Sequence, residues 1–323
     1  MILVTGACGN TARYVVAKLL EEGLDVVGID IRNAHTLKIA ALLSRLTYKG
    51  KFHMVWGNLT KPKDLEAIFK SYELTGIAHL AFIIPPQSEF HPEQAYKVNV
   101  GSTRTLIKLT ELYAPTIPFV FSSSTTVFGD ASPNEIYLTP AHPVKATSNY
   151  TANKIECELL LKESSLDWRI LRYSVIMNPT FVPNKELIKF GFQIALNTRV
   201  EPVHVKDLAV ATYHALVKKE ASHKIFIIAG GKTNQITYKE YITKVLTGSL
   251  GKLNSEDVPW ERFIEKPYYL NWYDTTESQE ILQFQTRTVD DLVIDMQALI
   301  PGWKKFFIAR LQKLILTRFL LPK

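Results

Sequence analysis

The run Met1-Ile2-Leu3-Val4-Thr5-Gly6-Ala7-Cys8-Gly9-Asn10-Thr11-Ala12, continued by Val15, Val16, Leu19 and Leu20, decides the fold. Residues 1–5 have the apolar run of a short buried strand, and the later four apolar positions recur at helical spacing. Between them, Gly6 permits a tight turn and Gly9 lets a backbone approach a pyrophosphate. Ala12 takes the place of a third glycine and stays small enough for close helix packing. Asn10 and Thr11 complete a turn whose helix start presents unpaired N–H groups to phosphate. After Gly23, a second strand over 25–29 ends in Asp30, where an acidic residue accepts hydrogen bonds from an adenosine ribose. A carboxylate there repels a 2′-phosphate, so NAD is expected over NADP; Arg32 is the residue through which NADP would be admitted.

Working outward, strand-like runs near residues 2–5, 25–29, 52–55, 77–82, 118–122, 168–172 and 224–228 alternate with helical patterns near 12–22, 62–72, 93–113, 150–164 and 206–218. Such alternation predicts an α/β fold with a Rossmann-type doubly wound parallel sheet and a smaller C-terminal substrate lobe. The dinucleotide-binding domain is expected over residues 1–171, its core also taking elements near 200–228. The substrate lobe is expected mainly over 172–300, and 301–323 reads as a basic amphipathic C-terminal helix. A chain of 323 residues, 46% hydrophobic, can bury such a core. No internal repeat or low-complexity segment interrupts it.

A second pattern carries chemistry. Tyr150 and Lys154 in Tyr150-Thr151-Ala152-Asn153-Lys154 share one face of a helix. A free phenol titrates near about 10, and an adjacent ammonium is expected to lower that value and let Tyr150 exchange a proton with a carbinol or carbonyl oxygen. Upstream stands Ser122-Ser123-Ser124.

With these residues in view, the chain resembles the extended short-chain dehydrogenase/reductase family, the epimerase/dehydratase branch typified by UDP-galactose 4-epimerase. The opening is similar to the family's TGxxGxxG, Gly57-Asn58-Leu59 to its GDL, and Ile77-Ala78-His79-Leu80-Ala81 to its strand ending in HLA. Val98-Asn99-Val100-Gly101-Ser102 is similar to NVxGT, and Phe121-Ser122-Ser123-Ser124-Thr125-Thr126-Val127-Phe128-Gly129 to SSSxxVYG. Leu171-Arg172-Tyr173 matches LRY, and Val203-His204-Val205-Lys206-Asp207-Leu208-Ala209 matches HVxDLA. The resemblance implies that Ser124 holds the substrate oxygen, Tyr150 is the acid/base, and Lys154 both tunes the phenol and binds ribose. Gly6, Gly9, Asn10, Thr11 and Ala12 would take the pyrophosphate, Asp30 the ribose, and Asn58 with Leu59 the adenine. Leu80, Ala81 and Phe82 would pack near the dinucleotide, with Asn99 and Tyr173 supporting it. A homodimer paired through the helices near 93–113 and 150–164 is also implied, with Leu106, Leu109, Leu112, Leu159, Leu160 and Leu161 offering apolar area.

The sequence departs from that pattern in ways that bear on substrate. Val175 stands where nucleotide-sugar enzymes of the family place an asparagine two residues after the tyrosine of LRY. The stretch between LRY and HVxDLA is also short. Both changes remove polar handles for a diphosphate and point to a small or apolar alcohol or ketone, with Phe181, Phe190, Phe192, Tyr268, Tyr269, Trp272 and Tyr273 as pocket or core aromatics and Arg262 or Arg287 as compensating cations. The expected function is therefore NAD(P)-dependent hydride transfer at a secondary alcohol or ketone. A nucleotide-sugar 4-epimerase or dehydratase is the alternative enzyme. A non-catalytic dinucleotide sensor or scaffold is the alternative of another class, against which the intact Ser124, Tyr150 and Lys154 stand.

Six basic residues and no acidic ones lie between Pro301 and Lys323, accounting for all but one of the formal +7 charges. Trp303, Phe307, Leu311 and Leu314 interleave with those cations, so contact with a membrane surface is weighed against packing on this chain or a second copy. No nucleic-acid platform is recognisable. Cys8 and Cys157 are far apart and have no metal-ligand spacing; neither a disulfide nor a metal is expected. With no signal peptide and no apolar run long enough to cross a bilayer, a cytoplasmic protein is expected. His79 and His204 read as structural residues, and Asp207 as a helix cap.

Overall fold

The computed structural model describes residues 1–45, 47–129, 135–180, 189–251, 254–264 and 270–304. The expectations for Phe181, Tyr268, Tyr269 and most of the basic tail lie outside the described residues. Seven strands form the main sheet: β1 (Ile2–Thr5), β2 (Val26–Asp30), β3 (Phe52–Trp56), β4 (Gly76–His79), β5 (Pro118–Ser124), β6 (Asp167–Tyr173) and β7 (Lys224–Ile228). Their order is β7-β6-β5-β4-β1-β2-β3, and every pair is parallel. The order reverses at β1, so the crevice beyond the C-terminal ends of β1 and β4 is the place where a doubly wound sheet takes ligands.

The period-two side-chain alternation sends neighbouring residues of one strand to opposite faces. Val4, Ala78 and Val120 pack with α1 (Ala12–Glu21), α2 (Ala34–Arg45) and the later helix Val205–Val217. Leu3, Ile77, Phe119 and Phe121 pack on the other face with α3 (Pro62–Ser71), α6 (Ser102–Tyr113) and α7 (Asn149–Lys162). Before α6 come two short helices, α4 (Gln87–Phe90) and α5 (Pro92–Tyr96), and a π-helical turn over Lys97–Gly101. The helical pattern near 93–113 is thus α5, that turn and α6 in succession.

The helix Val205–Val217 is α8, and its N-cap is His204, which accepts from Lys206 N at 3.2 Å. Asp207 therefore lies inside the helix instead of capping it. Its carboxylate accepts from the backbone N–H groups of Thr286 (2.9 Å) and Arg287 (2.7 Å) and from the Arg287 guanidinium (2.5 Å), tying down a distant segment.

Beyond β7, α9 (Tyr238–Leu250), α10 (Thr276–Leu282) and α11 (Val289–Ala298) follow. α9 and α11 approach so closely that a Cβ on Gly248 would lie 2.9 Å from Met296 Sδ. Two-residue strand pairs, 176–177 with 203–204, 199–200 with 236–237 and 137–138 with 272–273, form three small sheets separate from the main one. Among the described residues no helix is long and apolar enough to cross a membrane.

Candidate active site

The turn after β1 has the shape its sequence demands. Gly6 adopts φ +64°, and a Cβ there would meet Ala81 Cα at 3.0 Å, so both the left-handed backbone and the close approach require glycine. Gly9 N donates to Gly6 O at 2.8 Å. α1 then begins after Thr11 with no side-chain cap, leaving the helix start open to an anion. Thr5 Oγ1 accepts from Leu80 N and Ala81 N, both at 3.1 Å, which seats the loop after β4 against the turn.

Asp30 stands at the end of β2, accepting from Cys8 N (3.0 Å) and Ile31 N (2.8 Å). Burial pushes its carboxyl up, and those two hydrogen bonds oppose the push. Arg32 is exposed. Asn58 Oδ1 accepts from Thr60 N (3.0 Å) and Thr60 Oγ1 (2.9 Å), while Asn58 N donates to Asp64 Oδ2 (2.8 Å), so Asn58 shapes the turn into α3. Leu59 packs on the adjoining core. Asn178 Nδ2 donates to Asn10 O at 3.0 Å, bringing the segment after β6 over the glycine turn.

This cradle, glycines against the β4 loop beneath an uncapped helix start, fits a dinucleotide. It opens into a cavity of about 950 Å³ whose walls include Thr11, Leu80, Phe82, Ser124, Tyr150 and Lys154. Residues of the turn, the serine strand and α7 therefore meet at one space. Tyr173 also reaches it, with its phenol bonded to Thr212 Oγ1 at 2.9 Å. Asn99 does not: it is fully buried, its Oδ1 accepting from Ile83 N (2.7 Å) and its Nδ2 donating to Ile83 O (3.0 Å). It fastens the loop after β4, from within the π-helical turn.

Ser124 ends β5 and shares a hydrogen bond with Thr126 Oγ1 at 2.9 Å. Lys154 is buried, donates to Ser122 O, and lies 3.5 Å from the centre of the Phe82 ring but 5.8 Å from that of Tyr150. Burial pulls its ammonium down to about 7. Burial pushes the Tyr150 phenol up to about 12, and only the hydrogen bond with Ser124 opposes that. The sequence predicts a lowered phenol; here desolvation outweighs the cation, which is engaged elsewhere.

Two supports of this site are absent from the sequence reading. Glu89, on α4, accepts from Asn149 N (3.0 Å), Asn149 Nδ2 (3.0 Å) and Tyr150 N (3.1 Å) at the start of α7. Behind Lys154, Glu158 forms a buried two-pronged pair with Arg172, Nε–Oε1 3.0 Å and Nη2–Oε2 2.7 Å, and also accepts from Ser123 Oγ at 2.6 Å. Among the described residues no group of three or more His, Cys, Asp or Glu is placed to hold a metal ion.

The comparisons with known proteins agree with this architecture. The model of the NAD dependent epimerase/dehydratase family matches residues 2–229. The chain belongs to that family. It is an NAD-dependent enzyme of the extended short-chain dehydrogenase/reductase kind. Among curated relatives, the UDP-glucose 4-epimerase of Dictyostelium discoideum is 25% identical over 295 residues, covering 80% of this chain and 83% of that protein. The D-erythronate dehydrogenase of Haemophilus influenzae is 30% identical over 154 residues, 46% of this chain and 47% of that one. Among solved structures, a UDP-glucose 4-epimerase from Stenotrophomonas maltophila with bound NAD and formylated UDP-arabinopyranose superposes with a TM-score of 0.75. It is 18% identical, covering 92% of this chain and 96% of that one, a likeness of fold.

Proposed function

We propose that this family member is an NAD(H)-dependent oxidoreductase acting at a secondary alcohol or ketone. The observation that carries the reading is the meeting of Thr11, Ser124, Tyr150 and Lys154 around one cavity. Nicotinamide, when bound, accepts or supplies the hydride at the carbinol carbon. Ser124 holds the substrate oxygen by its hydroxyl, and Tyr150 takes the hydroxyl proton during oxidation or returns it during reduction. Lys154 supplies positive charge beside that proton transfer and a donor for ribose. Gly6, Gly9, Asn10, Thr11 and Ala12 line the pyrophosphate turn, and Asp30 receives the adenosine ribose and disfavours a 2′-phosphate. Residues 1–171 with α8 and β7 serve the dinucleotide, and 172–300 otherwise serve the substrate.

The names of the relatives support a second reading, a nucleotide-sugar 4-epimerase. It uses the same groups, with hydride returned to the opposite face of a transient ketone. One experiment addresses cofactor and site together. Fluorescence titration should give tighter binding of NADH than of NADPH, and Asp30→Ser should narrow the difference about tenfold or more, a loss of about 1.4 kcal/mol. Tighter NADPH binding by the parent protein would assign the pocket to Arg32 and sink the NAD reading.

A further inference from the structure

We propose that the substrate is a secondary alcohol or ketone carried on a large apolar body, held in the far half of the cavity with no phosphate contact. The inference rests on Ser124, Tyr150 and Lys154 being the proton-transfer set. Beyond those residues the walls are mainly apolar, with Asn178, Gln193 and Ser249 among the polar exceptions on the small-lobe side. Val175 and Ile176 lead away from the sheet, Tyr241, Val245 and Leu246 come from α9, and Met296 comes from α11. Phe192 and Phe263 also line the cavity, their ring centres 4.7 Å apart. Surface of this kind is favourable only when an apolar ligand covers it.

Charge argues the same way. Among the described lining residues Lys154 and Glu89 are the only lysine, arginine, histidine, aspartate or glutamate side chains. The Lys154 ammonium already serves Ser122 O and the Phe82 ring, and Glu89 is an anion. The described cations of α8 and α9 and the one just before α11 are also engaged: Lys206 with Asp295 at 2.6 Å, Lys244 with Asp290, Lys239 over the Trp260 ring at 5.4 Å, and Arg287 with Asp207. Arg262 is exposed and outside the lining.

A diphosphate without cations can still use an open helix start, as the turn before α1 provides for the dinucleotide. The two helices of the small lobe that line the cavity, α9 and α11, offer none. α9 is closed by the capping box of Thr237 with Glu240, and α11 by that of Thr288 with Asp291, each placing a carboxylate where the phosphate would sit. Burial of a substrate diphosphate here would strip water from it with no described lining cation other than the engaged Lys154 to replace that solvation.

The test titrates the NADH-loaded full-length protein by calorimetry with methyl ketones from butanone to decanone, and with UDP and UDP-glucose. Affinity should rise about fourfold per added methylene, the equivalent of about 0.8 kcal/mol, and neither UDP compound should bind at micromolar concentration. Val245→Thr, nearly the same shape with a hydroxyl, should weaken decanone at least fivefold while leaving butanone and NADH binding unchanged. A flat ketone series, or micromolar binding of UDP or UDP-glucose, overturns the proposal. Oxidation of NADH is read in parallel. Graded binding without oxidation keeps the apolar occupant and removes the hydride-transfer reading; oxidation with a flat series does the reverse.

Discussion

Glu89 Oε1 accepts the backbone N–H of Tyr150 at 3.1 Å, while its Oε2 takes the N–H of Asn149 at 3.0 Å. A carboxylate thus fills two of the open donors at the start of α7, beside the Ser148–Thr151 capping box. The loop after β4 is thereby fixed to the helix bearing Tyr150 and Lys154. Glu89→Ala should cost about 0.5–2 kcal/mol in urea unfolding and lower kcat about tenfold with NADH affinity unchanged. Glu89→Gln should recover little, because its amide turns donors toward donors. A kcat equal to that of the parent would show that Glu89 has no positioning role.

Tyr150→Phe should retain NADH affinity and lose about 10²–10⁴-fold in turnover, whereas Lys154→Met should weaken both. The phenol is pushed up to about 12, so alcohol oxidation should climb across pH 7 to 10 as phenolate grows. The lysine moves the other way, from an ordinary 10.5 to about 7 in the folded chain. Between those values the unfolded chain binds the proton that the folded chain lacks, so dinucleotide-free protein gains stability as pH rises from about 7 to about 10.5. Lys154→Met should be more stable than the parent at pH 7 and lose that rise. Thermal unfolding across the pH series decides it; parallel curves for the two proteins would refute the assignment.

What the sequence makes legible is whatever is local. The glycine turn, the seven sheet strands and the Tyr150–Lys154 spacing each depend on residues within a few positions of one another, and the structure sets them side by side. α2 was equally local, since Ile39, Ala40 and Leu43 are its buried positions, but Thr36 among them weakens the apolar period. Glu89 is different: its partners lie about sixty residues downstream, and no periodicity relates an acid on a short helix to the start of another. The same holds for the two-residue strand pairs that seat the small lobe. Asn99 was visible as a motif residue, but its engagement with Ile83 depends on the π-helical turn.

Arg172 and Glu158 form an ion pair with both side chains 2% exposed. Ser123 Oγ also donates to Glu158, and Pro140 O accepts from Arg172 Nη1 at 3.0 Å. Removing one partner strands a buried charge, at a cost of about 3–5 kcal/mol. Arg172→Met and Glu158→Gln should each show that loss in urea unfolding, and the double variant should recover part of it. If the single losses simply add, the two residues are not energetically coupled.

We also propose that two copies pair through α6 and α7, which lie side by side on one face of the sheet. Leu106 and Leu161 are buried against the sheet and are unavailable, but Leu112 is 69% and Leu159 50% exposed. Glu156 on α7 accepts from Arg104 Nη2 of α6 at 3.0 Å and from Tyr96 Oη of α5 at 2.8 Å, tying the three helices into one surface. A stable pair needs about 800 Å² buried on each partner, an area that two helices of 12 and 14 residues can supply together. Light scattering at micromolar concentration should therefore give a dimer. Leu112→Glu with Leu159→Glu, both on exposed positions, should give a monomer with unchanged circular dichroism. A parent protein that is monomeric under the same conditions would rule this pairing out.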